Sequence, residues 1–423
     1  MQRLKDSKIA IIGLGYVGLP LAVEFSNKFP TVGFDINSHR VRELLGGKDS
    51  TLEVDDDSLS KALRSGLKLS HDIESIKSSN VFVVTVPTPI DENKTPDLKP
   101  LKKASEMLAR ILKRGDIVIY ESTTYPGCTE EFCVPILESL SNLIYNEDFF
   151  CGYSPERINP GDKKNTLTKI VKVTSGSTPK AAQFVNELYL SVIEVGTHLT
   201  SSMAVAEASK AIENAQRDVN ISFINELSLI FDRLNIDTRE VLEAASTKWN
   251  FLNYTPGLVG GHCIGVDPYY LAYKAKMVGY EPQVVLSGRR VNDSMGIHVA
   301  NTYIKLLVSK DISVKNSKAL ILGITFKEDC PDIRNTKVID VINELKEFQI
   351  QVDVFDPNAN HKEVEKELGI KLLVDLKDTD KYAGIILAVA HKEFKFYTLR
   401  SSPNQVIYDL KGLYKKENVD KRL

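Results

Sequence analysis

A single thiol, Cys263, sits in the stretch PGLVGGHCIGVDPYYL (256–271), just after Gly260 and Gly261 and four residues ahead of Asp267. In EASKAIENAQRDVNI, Glu207, Lys210, Asn214 and Arg217 follow i, i+3, i+7, i+10 spacing and share one face of a helix. Near the N-terminus, Gly13-Leu14-Gly15-Tyr16-Val17-Gly18 has the spacing of a dinucleotide fingerprint. These residue types make one chemistry possible together. An alcohol gives up a hydride to become an aldehyde, the thiolate adds to form a hemithioacetal, a second hydride leaves a thioester, and water releases an acid. A cation beside an amide, as in Lys210 and Asn214, would stabilise the oxyanions on that route. Each part alone has a plainer reading: a loop cysteine is more often structural, and a polar row on a helix is more often a solvated face. His262, beside a glycine pair, stays unassigned.

The elements that must position these groups are legible. KIAIIG reads as a strand, VGLPLAVEFSNK as a helix and TVGFD as a second strand ending in Asp35, so the fingerprint lies where a βαβ unit needs it. Gly13 permits the tight turn, Gly15 lets the backbone approach a pyrophosphate, and Gly18 allows close packing; Tyr16 and Val17 lead into the helix N-terminus that holds the anion. Asp35 is placed to bind the adenosine ribose hydroxyls and to repel a 2′-phosphate, which favours NAD over NADP. Arg40 is the reservation, because a nearby arginine accommodates that phosphate. Thr88 and Pro89 in VPTP, and Thr123 in EST, end later strands on the side where open sheets bind ligands.

The chain has 423 residues, which predicts two or three domains. Further apolar runs at NVFVVTVP, DIVIYEST, FFCGYSPE, IVKVTSG and VIEVG alternate with helical stretches, giving a doubly wound sheet over residues 1–200. One long helix without Pro or Gly is expected from Ser202 to about Leu234, inside a helical region of residues 201–314 that carries the Cys263 loop. Strand-helix alternation restarts over 315–423. The fold class is therefore α/β, with two Rossmann-like doubly wound domains joined by a long central helix. A formal charge of -2 gives no footprint for nucleic acid, and five cysteines without zinc-like spacing read as reduced thiols in a cytoplasmic protein. The N-terminal MQRLKDSKIAIIGLGYVGLPLAV imitates a signal peptide, but its in-register glycines and the lack of a small-x-small site argue against one, and no segment reaches transmembrane length.

IIGLGYVGLPLA, TVPTPI, ESTTYPGCTEE, GYSPERINPGD, EASKAIENAQRDVNI, PGLVGGHCIGVDPYYL, SGRRVNDSMG and LGITFKEDCPDIRNT together resemble the UDP-glucose/GDP-mannose dehydrogenase family, and within it the UDP-N-acetylhexosamine branch of the Vi-antigen type. The resemblance implies an N-terminal NAD domain, a central helical dimerisation region and a C-terminal UDP-sugar domain in a homodimer. It makes Cys263 the nucleophile and Lys210 and Asn214 oxyanion stabilisers, with Asp267 and Thr123 holding the water used in proton transfer. Lys327 is implied to reach the sugar and Arg334 the dinucleotide. Glu156, Arg157, Asn159, Gly260 and Arg290 fall in segments implied to line the substrate, with Asn292 beside them. Glucose-type members carry a glutamate four residues after the Pro-Glu pair, where this chain has Pro160, leaving Glu156 or a water held by Asp267 as the hydrolytic base. The implied activity is NAD-dependent four-electron oxidation at C6 of a UDP-N-acetylhexosamine, UDP-N-acetylglucosamine first, for surface polysaccharide (O-antigen or capsule). The alternatives are a UDP-glucose or UDP-N-acetylgalactosamine 6-dehydrogenase and, outside catalysis, an NAD-dependent sensor or scaffold.

Overall fold

A computed structural model of the chain describes residues 3–158, 164–261, 264–399 and 404–423. They fall into two compact units, Met1–Glu213 with Tyr269–Tyr280 and Asn214–Pro268 with Glu281–Leu423. The region 201–314 contributes to both.

The first unit is built on eight strands: β1 (Ile9–Ile12), β2 (Thr31–Phe34), β3 (Lys68–Ser70), β4 (Val81–Val84), β5 (Ile117–Tyr120), β6 (Phe150–Tyr153), β7 (Lys172–Gly176) and β8 (Thr197–Leu199). Their order is β3-β2-β1-β4-β5-β6-β7-β8, so the chain reverses its direction of winding between β1 and β4. IAII, VFVV and IVIY in β1, β4 and β5 are buried throughout, as parallel strands covered on both faces must be. Alternation splits β1 between two cores: Ile9 and Ile11 pack with Leu21, Phe25 and Phe184 on one face, Ala10 and Ile12 with Phe82, Leu108 and Tyr120 on the other. Two details differ from the sequence reading. β7 runs antiparallel to β6, and the run VIEVG is a turn, with Gly196 at φ 91°, so that its strand begins only at Thr197.

The second unit carries β9 (Lys318–Leu322), β10 (Gln351–Phe355), β11 (Gly384–Leu387), β12 (Val406–Asp409) and β13 (Lys421–Arg422) in the order β10-β9-β11-β12-β13, all parallel. Its winding reverses between β9 and β11. Ala319 and Ile321 face one core, Leu320 and Leu322 the other. The long helix spans Met203–Leu234, and Thr238–Ser246, Asp267–Met277 and Gln283–Ser309 are the other helices of the middle region. No helix among the described residues is long and apolar enough to cross a membrane.

Tyr303, on the helix Gln283–Ser309, is fully buried in the second unit and its hydroxyl has no hydrogen-bond partner among the described residues. Burial alone holds its ionisation above the usual tyrosine range. Removing an unsatisfied buried hydroxyl relieves a desolvation cost, so Tyr303→Phe is expected to raise stability by about 1 kcal/mol, read as a higher urea midpoint at unchanged m-value. A drop of that size would mean the hydroxyl is satisfied.

Candidate active site

In the first unit the fingerprint wraps the C-terminal end of β1. Gly13 has φ 99° and lies against the Thr85 carbonyl, while a side chain on Gly18 would collide with the Gly13 carbonyl oxygen and the Thr85 hydroxyl. Gly15 is different, because a Cβ there meets nothing within 4 Å. Val17 is the N-cap of the helix Gly18–Ser26, and no side chain caps its amides. A tight turn, open space at Gly15 and an uncapped N-terminus suit a pyrophosphate. Asp35 accepts from Leu14 N at 2.8 Å with one oxygen and from Asn37 N at 2.8 Å with the other, which fixes the carboxylate at the end of β2.

Arg40 is buried beneath this loop. Its Nε donates to the Leu14 carbonyl at 2.9 Å, and its amino groups pair with Asp49 at 2.6 Å and Glu43 at 3.2 Å. Burial works to raise Asp49, but bonds from Thr51, Val54 and Arg40 outweigh it and hold the carboxyl below its ordinary value. Flanked by two carboxylates, the Arg40 guanidinium is committed inside the protein and offers no charge to a 2′-phosphate. Thr88 and Pro89 follow β4 across the reversal point from the fingerprint, and the Pro89 carbonyl accepts from Tyr270 at 3.1 Å.

The polar row of the long helix is not a solvated face. Glu207, Lys210 and Asn214 are buried at 0%, 7% and 8% exposure, whereas Arg217 is exposed. Among the described residues the Lys210 ammonium has no carboxylate or hydrogen-bond partner. Glu207 takes donors from the segment after Thr123: Thr124 Oγ1 at 3.3 Å, Gly127 N at 2.5 Å, Thr129 N at 2.9 Å and Thr129 Oγ1 at 2.6 Å. In the second unit Asn214 donates to Asp267 at 2.5 Å, at the start of the helix Asp267–Met277. Cys263, His262, Asn159 and Pro160 lie outside the described residues.

Glu156 is buried in the first unit and fully engaged. One oxygen accepts from Arg157 N and Ile158 N, both at 2.5 Å; the other accepts from Lys172 at 3.0 Å, and Lys172 also pairs with Glu121 at 2.6 Å. Tyr189 donates to Glu121. One ammonium faces two carboxylates. Burial pulls Lys172 down, but Glu121 and Glu156 outweigh it and raise it, while burial raises Glu121 against the pull of Lys172. Lys172 was not singled out from the sequence and Glu121 only as the start of the strand-ending EST; a lysine opening the buried strand KVTSG was the available signal. Arg157 donates to the Val171 carbonyl at 2.9 Å and pairs with Glu213 at 2.8 Å, and its buried Nε has no partner among the described residues.

In the second unit Gly260, Lys327, Lys337 and Lys411 line a small cavity at the ends of β9 and β11, beside that sheet's reversal point. Gly260 packs on the Asn335 carbonyl, with room for no Cβ. Lys327 lies over the Phe326 ring at 5.5 Å, and Arg334 is held by Asp332 at 2.6 Å. Arg290 is exposed and donates to Ser287, while its neighbour Arg289 is buried against Asp218 and Asp293, both at 2.5 Å. Asn292 joins that cluster, donating to Asp218 at 2.7 Å and accepting from Asn225 at 2.8 Å. Asn225 in turn exchanges two hydrogen bonds with the Gly257 backbone at the head of the Cys263 loop.

Fold and site together describe a nucleotide-dependent oxidoreductase, with two nucleotide-type sheets and a largely buried lysine that has no partner among the described residues. Residues 7–193, 204–294 and 320–416 match the NAD binding, central and UDP binding domains of the UDP-glucose/GDP-mannose dehydrogenase family. The chain belongs to that family and is an NAD-dependent dehydrogenase. It is 56% identical to the UDP-N-acetyl-D-glucosamine 6-dehydrogenase of Pseudomonas aeruginosa, over 99% of this chain and 100% of that one, and 53% identical to the protein of the same name from Salmonella typhi, over 99% of each. The solved UDP-D-ManNAc dehydrogenase of Pyrococcus horikoshii superposes with a TM-score of 0.87 at 29% identity over 98% of both chains.

Two measurements check this geometry. Asp35→Ala is expected to weaken NAD binding roughly 10- to 100-fold and to narrow the preference for NAD over NADP, as seen in fluorescence titrations with both. Unchanged discrimination would remove Asp35 from cofactor choice. Lys172→Met strands two buried carboxylates and should cost about 3–5 kcal/mol in urea unfolding; a loss near zero would show that the ion pairs are not formed in solution.

Proposed function

We propose that the chain oxidises the C6 hydroxymethyl of UDP-N-acetylglucosamine, or a closely related UDP-N-acetylhexosamine, to the carboxylate through a thiohemiacetal and a thioester on Cys263. The observation that carries this reading is Lys210, a residue only 7% exposed whose ammonium has no carboxylate or hydrogen-bond partner among the described residues. A cation left unpaired in so enclosed a place suits negative charge that develops during a reaction. The names borne by the relatives at 56% and 53% identity supply the substrate class.

Bound NAD supplies the hydride acceptor. Lys210 stabilises the oxyanions of both oxidations, joined by Asn214, whose amide gives one hydrogen to Asp267 and keeps a second free to donate. Glu156 has its oxygens committed to Lys172 and to two backbone amides, so proton transfer falls to a water held by Asp267 with Thr123 rather than to Glu156. The buried Nε of Arg157, without a partner among the described residues, is a donor for an acetamido carbonyl. Lys327 contacts the sugar and Arg334 the dinucleotide in this reading, and Gly260, which has no room for a side chain, keeps the loop low over the substrate. Arg290 is exposed and carries less weight than the buried Asn292. We place the reaction in the cytoplasm and its product in surface polysaccharide. The exposed Ile212, Phe223, Ile230 and Leu234 repeat at helical spacing along one face, an apolar stripe suited to a second copy in a homodimer.

Cys263→Ser should bind NAD and the UDP-sugar as wild type does and lose steady-state acid formation, because an alkoxide hemiacetal gives no easily hydrolysed thioester. Normal turnover of the serine variant would sink the covalent route. Comparing kcat/KM for UDP-N-acetylglucosamine, UDP-N-acetylgalactosamine and UDP-glucose should show discrimination of roughly 100-fold against glucose, since a site built to hydrogen-bond an acetamido group penalises its absence. Equal use of UDP-glucose would turn the assignment to its alternative.

A further inference from the structure

Glu207 spends all its hydrogen bonds on one loop. Its carboxylate is 0% exposed, and the donors it accepts from are Thr124, Gly127 and Thr129. The loop starts at Thr123 and runs into a single π-helical turn, Thr129–Cys133, which no side chain of its own N-cap residue closes. Gly127 adopts φ 92°, a conformation that lets its amide turn inward, and a Cβ there would press on Glu131. Lys210 lies one helical turn beyond Glu207, in the same unit.

We propose that Glu207 is a positioning residue: it anchors the loop carrying Thr123 to the helical turn that carries Lys210, so that the two groups stay in register on one reacting carbon. The proposal rests on the reaction assigned above. The groups facing the carboxylate are the hydroxyls and amides just named and the Cys128 thiol, which its bond with Cys133 and burial keep protonated. No cation pairs with Glu207 among the described residues. Burial therefore drives its carboxyl up to about 7, against the bonds from Thr129, Gly127 and Thr124. Protonation turns one carboxylate oxygen into a donor and weakens the acceptance that holds the obligate donors Gly127 N and Thr129 N, which loosens the loop. The clamp closes as pH rises through that range and opens as it falls.

The test compares Glu207→Gln, Thr129→Val and Thr129→Ser, using whichever UDP-sugar the wild type oxidises. Wild-type kcat should rise with pH along an acidic limb near pH 7. In Glu207→Gln the limb should vanish and kcat fall roughly 10- to 100-fold, with KM for the UDP-sugar moved less than about threefold. Thr129→Val removes one donor and should move the limb to higher pH by about half a unit or more, while Thr129→Ser keeps the hydroxyl and restores the wild-type profile. A wild-type kcat in Glu207→Gln, a loss that leaves the limb in place, or an unmoved limb in Thr129→Val overturns the proposal. If Glu207→Gln does not fold, the two Thr129 variants decide. If the wild type oxidises no UDP-sugar, the functional reading fails, and amide exchange at Gly127 and Thr129 then decides on the clamp: protection lost below pH 7 supports it, and pH-independent protection refutes it.

Discussion

A polar side chain withdrawn from water must find donors and acceptors inside the protein, and along the helix Met203–Leu234 that requirement orders the surrounding loops. Glu207 takes its donors from the loop after β5. Farther along, Asn214 holds Asp267, Asp218 meets Arg289 and Asn292, and Asn225 brackets Gly257. Each bond joins the helix to a segment that carries, or leads to, a residue of the proposed chemistry. The loops would have no reason to settle in one conformation if the helix were polar only toward water.

Lys210 is informative by contrast. Lys172, equally withdrawn from solvent, is matched by two carboxylates, and Arg289 is matched by two more. Those are structural ion pairs, in which attraction and hydrogen bonds offset desolvation. Lys210 has no such partner among the described residues, on a helix where Glu207, Asn214 and Asn225 each bond to a neighbouring segment. The difference sets Lys210 apart from the cations that hold the fold and supports the role proposed for it.

The cofactor end follows the same logic with neutral groups. Close approach at Gly13 and Gly18 leaves the helix amides uncapped and the space over Gly15 open. The Arg40 guanidinium supports the loop through the Leu14 carbonyl, and its charge is absorbed by Asp49 and Glu43. Asp35 therefore sits at the strand end without a competing cation from that arginine, consistent with the NAD binding domain matched here.

By itself the sequence determined the βαβ fingerprint, the second doubly wound unit, the long helix and the family, because hydrophobic period and glycine spacing are local properties of a chain. It also brought Glu207, Lys210 and Asn214 to one helical face. It did not say whether that face was wet or buried, which of Arg289 and Arg290 turned inward, or that Arg40 was already spent on internal carboxylates. Nor did it show that β7 reverses against β6, or that Lys172 and Glu121, 51 residues apart, form one charged cluster. Burial and pairing of charge depend on which distant segments pack against a residue, and that is settled only when the chain folds.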